Sequence, residues 1–225
     1  MRNEMLIVED VLLLMLDDET GVPARTGALH LTLGCAVLVD LALLSRVEID
    51  EAGAGPAGPE VRAVGDGALP DRLLQSVYDK LAERPRGIQS LLPGIGGGLW
   101  KPVIDRLIER GLVRRESKRL LGVFRTTSWP AEDTRHEDAL RQRISAVLEG
   151  GQSPDARTAA VIALLSASGA LTDIRPALPW SDEIRERAKN LEQGSWGAAA
   201  VNAARTRTAA AIAVSSATMA ITTVT

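Results

Sequence analysis

Arg106, Arg110, Arg114, Arg115, Lys118, Arg119 and Arg125 follow one another closely in a chain whose formal net charge is −3. Guanidinium and ammonium groups gathered on one surface attract phosphate or carboxylate. An acidic chain with one basic stretch therefore encodes a local anion-seeking patch and no global field. Just before that stretch stands GIGGGLWK, residues 94–101. Its glycines leave backbone N–H groups free to point at an anion, Trp100 offers a ring, and Lys101 adds a charge at the edge. Ordinary glycine-rich connectors and solvated hairpins are built from the same residues, so the bland alternative stands beside the chemical one.

Other chemistry has less to hold on to. His30 lies in an apolar stretch with no carboxylate nearby, and His136 stands among Glu132, Asp133, Glu137 and Asp138 at what reads as a solvated helix start. Asp17 and Asp18 read as a capped, solvated helix end. HExxH, GxSxG, Walker and paired-cysteine patterns are missing from the sequence, so hydrolase and metal readings have no anchor. No catalytic residue, cofactor or metal is expected. The single cysteine, Cys35, sits in an apolar run and reads as a small packing residue.

The elements that must position these residues follow from apolar periodicity. Leu6, Ile7, Val11, Leu12, Leu14 and Met15 recur at helical spacing before DDETG, which predicts a short first helix. From Ala28 to Leu44 only Asp40 is charged, the pattern of a helix buried on all sides. Arg46 to Asp50 and Glu60 to Val64 alternate across a Gly/Ala/Pro loop, which predicts a hairpin. Leu69 to Glu83 carries one apolar stripe, with Pro70 in its first turn. Leu91 to Gly98 reads as a flexible break before a helix from Val103 to Arg110 that Gly111 ends. A second hairpin is expected near 112–126, with Glu116 to Arg119 as its turn. Further helices are expected at Glu132–Glu149, Asp155–Ser168 and Ser181–Gln193.

With 45% hydrophobic and 24% charged residues, the 225-residue chain has the composition of an ordinary globular protein. One Phe and one Tyr against four Trp leave a core of Leu, Val, Ile and Ala, as in closely packed helices. The expected fold is mainly α: a single helical domain over 1–195 with small hairpins, then an Ala/Thr-rich helix or tail over 196–225. Glu4, Glu9 and Asp10 interrupt the first apolar run, so no signal peptide is expected, and a cytoplasmic location follows.

Four blocks, EDVLLLMLDDETG, GCAVLVDLALLSRVEI, LIERGLVRRE followed by LLGVFRTTSWP, and DARTAAVIALLSASG, give the chain a resemblance to the Golgi phosphoprotein 3 family. Eukaryotic members of that family are membrane adaptors that recognise phosphatidylinositol 4-phosphate and retain glycosyltransferases. The resemblance implies a mostly helical domain with a basic membrane-facing surface and a hairpin for self-association, here Arg114, Arg115, Lys118, Arg119, Leu120, Leu121 and Phe124. The positions that hold the head group in the family fall near Ala24, Leu33, Gly97 and Trp100, so none of the four residue types is kept. Arg25, Trp100 and Lys101 would instead supply one ring and two cations for a phosphate.

The function expected is thus a non-enzymatic, peripheral protein that meets an anionic phospholipid surface, forms a homo-oligomer through the hairpin, and has room for protein clients. Two alternatives stay open. One is a winged-helix nucleic-acid binder, because helix, Gly-Leu-Val and basic hairpin also end that module. Nucleic acid is the less expected partner, since the helix before the hairpin carries few base-reading side chains. The other is a self-assembling protein-interaction scaffold without lipid binding.

Overall fold

The computed structural model describes residues 4–24, 26–55, 58–120, 124–194 and 208–215, of which 51–55, 58, 118–120 and 124–126 by backbone alone. The elements run α1 (Ile7–Met15), α2 (Thr26–Leu43), β1 (Val47–Gly55), β2 (Gly58–Ala63), α3 (Arg72–Ala82), β3 (Arg86–Gly87), α4 (Ile88–Gly96), α5 (Trp100–Glu109), β4 (Glu116–Leu120), β5 (Phe124–Ser128), α6 (Arg135–Leu148), α7 (Ala156–Ala167) and α8 (Asp182–Glu192). The fold is mainly α with small antiparallel strand pairs, as the composition and periodicity predict.

The second helix is the axis of the molecule. Leu31 through Ala42 of α2 are all buried, because α1, α3, α4, α7 and β1 pack around it. Long and apolar enough to cross a membrane by length and composition, it spends that apolar surface on its neighbours within the fold. The alanines of α7, Ala159, Ala160 and Ala163, are fully buried and permit close approach to the central helices. Asp155 and Ser181 cap α7 and α8: their side chains accept the N–H of Thr158 and Ile184 at 2.7 and 3.2 Å.

β1 and β2 pair from Val47↔Ala63 to Asp50↔Glu60, which turns Val47 and Val61 into the core. β3 adds a short third strand. β4 and β5 pair from Glu116↔Ser128 to Leu120↔Phe124. Glu116 to Arg119, expected as the turn, therefore lie in a strand, and the chain reverses between Leu120 and Phe124. The backbone ladder between 116–120 and 124–128 outweighs the turn tendency of the charged run.

Two other expectations are corrected. The segment read as a flexible break is the helix α4, with Pro93 inside it. Ile88, Leu91, Leu92 and Ile95 recur at helical spacing and are all buried. Their burial, at roughly 1.5–3 kcal/mol each, outweighs the roughly 3 kcal/mol that an internal proline costs. Pro70 stands outside the first turn of α3, because Asp71 is the cap: its Oδ1 accepts the N–H of Leu73 and Leu74 at 2.9 and 3.3 Å. In the C-terminal segment, 208–215 is helical and buries Ala209, Ala210, Ile212 and Ala213. The remainder from 195 to 207 and beyond 215 lies outside the described residues.

Candidate membrane-docking face and the buried charges behind it

Close backbone contact between α4 and α2 builds the candidate face. A Cβ placed on Gly96 would sit 1.7 Å from the His30 carbonyl oxygen, so only glycine lets the end of α4 lie on the first turns of α2. The loop after α1 arrives at the same place. It is pinned by the N–H of Ala24, which donates to the Met15 carbonyl at 2.7 Å, and by Gly21, which has φ +62 and packs against the backbone of Trp129. Trp100, the first residue of α5, meets Trp129 edge-on, with ring centroids 5.3 Å apart and planes at 82°. The two indoles are half-buried, which leaves each an apolar body at the surface.

Lys101 extends into solvent and pairs with Asp105 one turn on, Nζ to Oδ2 at 2.5 Å. Arg25 lies outside the described residues, between the placed Ala24 and Thr26. In the hairpin region Arg114 is held at 2.8 Å by both Glu116 and the Ala131 carbonyl, while Arg115 is exposed. Lys118, Arg119, Leu120 and Phe124 occupy paired backbone positions, and Leu121 lies outside the described residues. Trp129 was not singled out from the sequence. Its signal was the SWP that closes the hairpin block, which places a large ring at the end of a strand beside α5.

Arg106 and Arg110, read from the sequence as part of the basic surface, turn inward. They flank Glu9, which is fully buried: Arg110 Nε donates to Oε1 at 2.7 Å and Arg106 Nε at 3.1 Å. Arg106 also reaches Asp71 Oδ2 at 2.8 Å. His136 takes a structural part in the same way. Its Nε2 lies 2.8 Å from Oδ1 of the fully buried Asp10, whose Oδ2 takes Arg157 at 2.5 Å. Asp40, on α2, accepts the N–H of Ile7 and Val8 at 3.0 and 3.3 Å and so caps α1 from a different helix. The sequence signal was present: two adjacent acids inside an otherwise apolar helix need partners wherever that helix is buried on every side.

Burial pushes the Asp40 carboxyl up to about 7, against the two N–H donors and Arg157, which favour its charged form. Glu137 is pushed up to about 8, chiefly by burial. Arg141, whose Nη2 lies 2.7 Å from its Oε1, opposes the rise, and Asp18 and Asp138 add to it. A carboxyl whose folded value exceeds its unfolded one keeps its proton longer in the native state. Stability therefore falls as pH rises from the unfolded value, near 4.5 for Glu137, to the folded one near 8. Denaturant melts should show wild-type stability decreasing by about 2–4 kcal/mol between those limits. Glu137→Gln, which mimics the protonated acid, should flatten that slope, and an unchanged slope would sink the assignment.

Among the described residues, no group of three His, Cys, Asp or Glu side chains is arranged to hold a metal ion. The charges inside the fold tie helices together, and the chemistry left at the surface is that of rings, exposed cations and glycine backbone. The family profile described as Golgi phosphoprotein 3 (GPP34) matches residues 7–208. No curated protein matches the chain.

Proposed function

The chain belongs to the Golgi phosphoprotein 3 family, and from that premise we propose that it is a non-enzymatic adaptor that docks peripherally, on the cytoplasmic side, upon an anionic, phosphate-bearing membrane surface. The observation that carries this reading is the Gly96–His30 contact. It holds the start of α2 against the end of α4, from which α5 begins with Trp100 and Lys101, and so supports reading these residues as one contact face. Half-buried indoles beside the exposed Lys101 suit the membrane interface, where the ring lies among head groups and the charge meets phosphate.

The family's own head-group pocket does not carry over. Of its four positions, Leu33 is fully buried in α2 here, and Gly97 has no side chain to offer. Recognition is accordingly of anionic phosphate in general, with Arg25 and Lys101 as the cations. The β4–β5 hairpin pairs with no third strand among the described residues. A lone two-stranded ribbon is marginal and leaves its edges open, which favours self-association through it. The winged-helix alternative loses support from α5, whose Arg106 and Arg110 are spent on Glu9 while the exposed Glu109 would face phosphate.

Co-sedimentation with vesicles of phosphatidylcholine alone, or with added phosphatidylglycerol, cardiolipin or phosphoinositide, tests the reading. Binding should require an anionic lipid and weaken roughly tenfold or more in Arg25→Ala/Lys101→Ala, at about 1 kcal/mol per cation near such a surface. Equal sedimentation of wild type and variant would remove this face from the reading, and failure on all vesicles would leave the protein-interaction scaffold.

A further inference from the structure

A groove bounded by α3, α4 and α5 contains none of the residues named above for lipid contact. Its cavity of about 450 Å³ is walled on one side by Arg72, Ser76 and Lys80 of α3, and on the other by Gly94, Gly98 and Arg106. Arg72, Ser76 and Lys80 recur every four residues, so they form one stripe about 12 Å long on α3. Among the described residues no carboxylate lines the groove. Arg106 is committed to Glu9 and Asp71, whereas Arg72 and Lys80 are exposed and belong to no ion pair among the described residues. Below them Leu73, Val77, Ile95 and Leu99 give an apolar floor. A Cβ added at Gly94 or Gly98 would meet nothing within 4 Å, so the far wall is bare backbone facing open space.

We propose that this groove seats a single anionic phospholipid, its phosphate between Arg72 and Lys80 and the first part of an acyl chain on the floor of Leu73, Val77, Ile95 and Leu99. Two unspent cations over an apolar floor are complementary to an amphiphile with one charged end. A free phosphate would leave the floor unused, and a neutral chain would leave the cations unused. The volume accommodates a head group and a few methylenes, not a whole lipid, so the rest of the chains stay in the bilayer. The inference rests on the docking reading and deepens it: the Trp100 rim meets the surface, and the groove extracts part of one lipid from it.

Three full-length variants decide the matter, each checked for an unchanged helical spectrum: Arg72→Ala/Lys80→Ala, Ser76→Trp and Arg25→Ala/Lys101→Ala. Ser76→Trp fills the groove without altering any charge. On phosphatidylglycerol vesicles the first variant should bind about 25-fold more weakly, at roughly fivefold per cation, and Ser76→Trp should also lose affinity. Wild-type affinity in Ser76→Trp would overturn the groove, leaving only surface charge. In solution, titration with dihexanoyl phosphatidylglycerol should saturate on wild type and not on Ser76→Trp, while inorganic phosphate should bind far more weakly. Equal affinity for phosphate would overturn the lipid assignment. If wild type ignores vesicles yet binds the short-chain lipid in the groove, the docking reading fails and the groove stands. If it binds neither, both fail.

Discussion

Glu9→Ala should destabilise the fold by about 3–5 kcal/mol, the range for breaking a buried ion pair by removing one partner. Glu9 is fully buried and accepts from five donors at once: the Leu6 N–H at 2.8 Å, Arg106 at 3.1 and 3.3 Å, and Arg110 at 2.7 and 3.2 Å. Alanine leaves a cavity, the Leu6 N–H without its acceptor, and two guanidinium groups facing one another. Asp71 still holds Arg106, whereas Arg110 loses the carboxylate it meets at 2.7 and 3.2 Å. A cycle of Glu9→Ala with Arg110→Ala, followed by urea unfolding, should therefore show a coupling of about 1 kcal/mol or more. Strictly additive losses would mean the pair is ornamental and α1 is held by apolar packing alone. Glu9→Gln should fall between, since its amide keeps one acceptor but turns an N–H towards the arginines.

Gly96→Ala should cost about 3 kcal/mol or more and should differ sharply from Gly94→Ala two residues away. At Gly96 the new methyl would lie 1.7 Å from the His30 carbonyl oxygen and 2.6 Å from its carbon, atoms of a helix backbone that cannot rotate aside. The two helices would have to part, and the contact of Gly34 with Leu92, where a Cβ would lie 3.1 Å from the carbonyl, would open with them. At Gly94 a methyl would meet nothing within 4 Å, and replacing glycine in a helix by alanine gains roughly 0.5–1 kcal/mol from the unfolded chain. Thermal melts of the two variants should move in opposite directions. If they move together, the close approach of α2 and α4 is wrong, and with it the placement of the Trp100 rim.

The sequence by itself determined the helical class, the family, and most elements to within a few residues. Long apolar periodicity and side-chain caps are local properties: Asp155 and Ser181 start helices by accepting N–H groups three residues on. Family blocks such as EDVLLLMLDDETG carry the same information in linear form. Only the tertiary structure decided what the charges do. Glu9 meets Arg110 across 101 residues of chain, and Asp10 meets Arg157 across 147, so no spacing rule could separate the inward arginines 106 and 110 from the exposed Arg114 and Arg115. The α4 helix is hidden in the sequence for a related reason, since proline and glycine act as breakers until the buried faces of Ile88, Leu91, Leu92 and Ile95 find a partner in α2. Trp129 and the α3 groove became visible only when elements far apart in sequence were set side by side. Local propensity is written residue by residue, whereas a surface or a buried ion pair exists only between elements that packing has brought together.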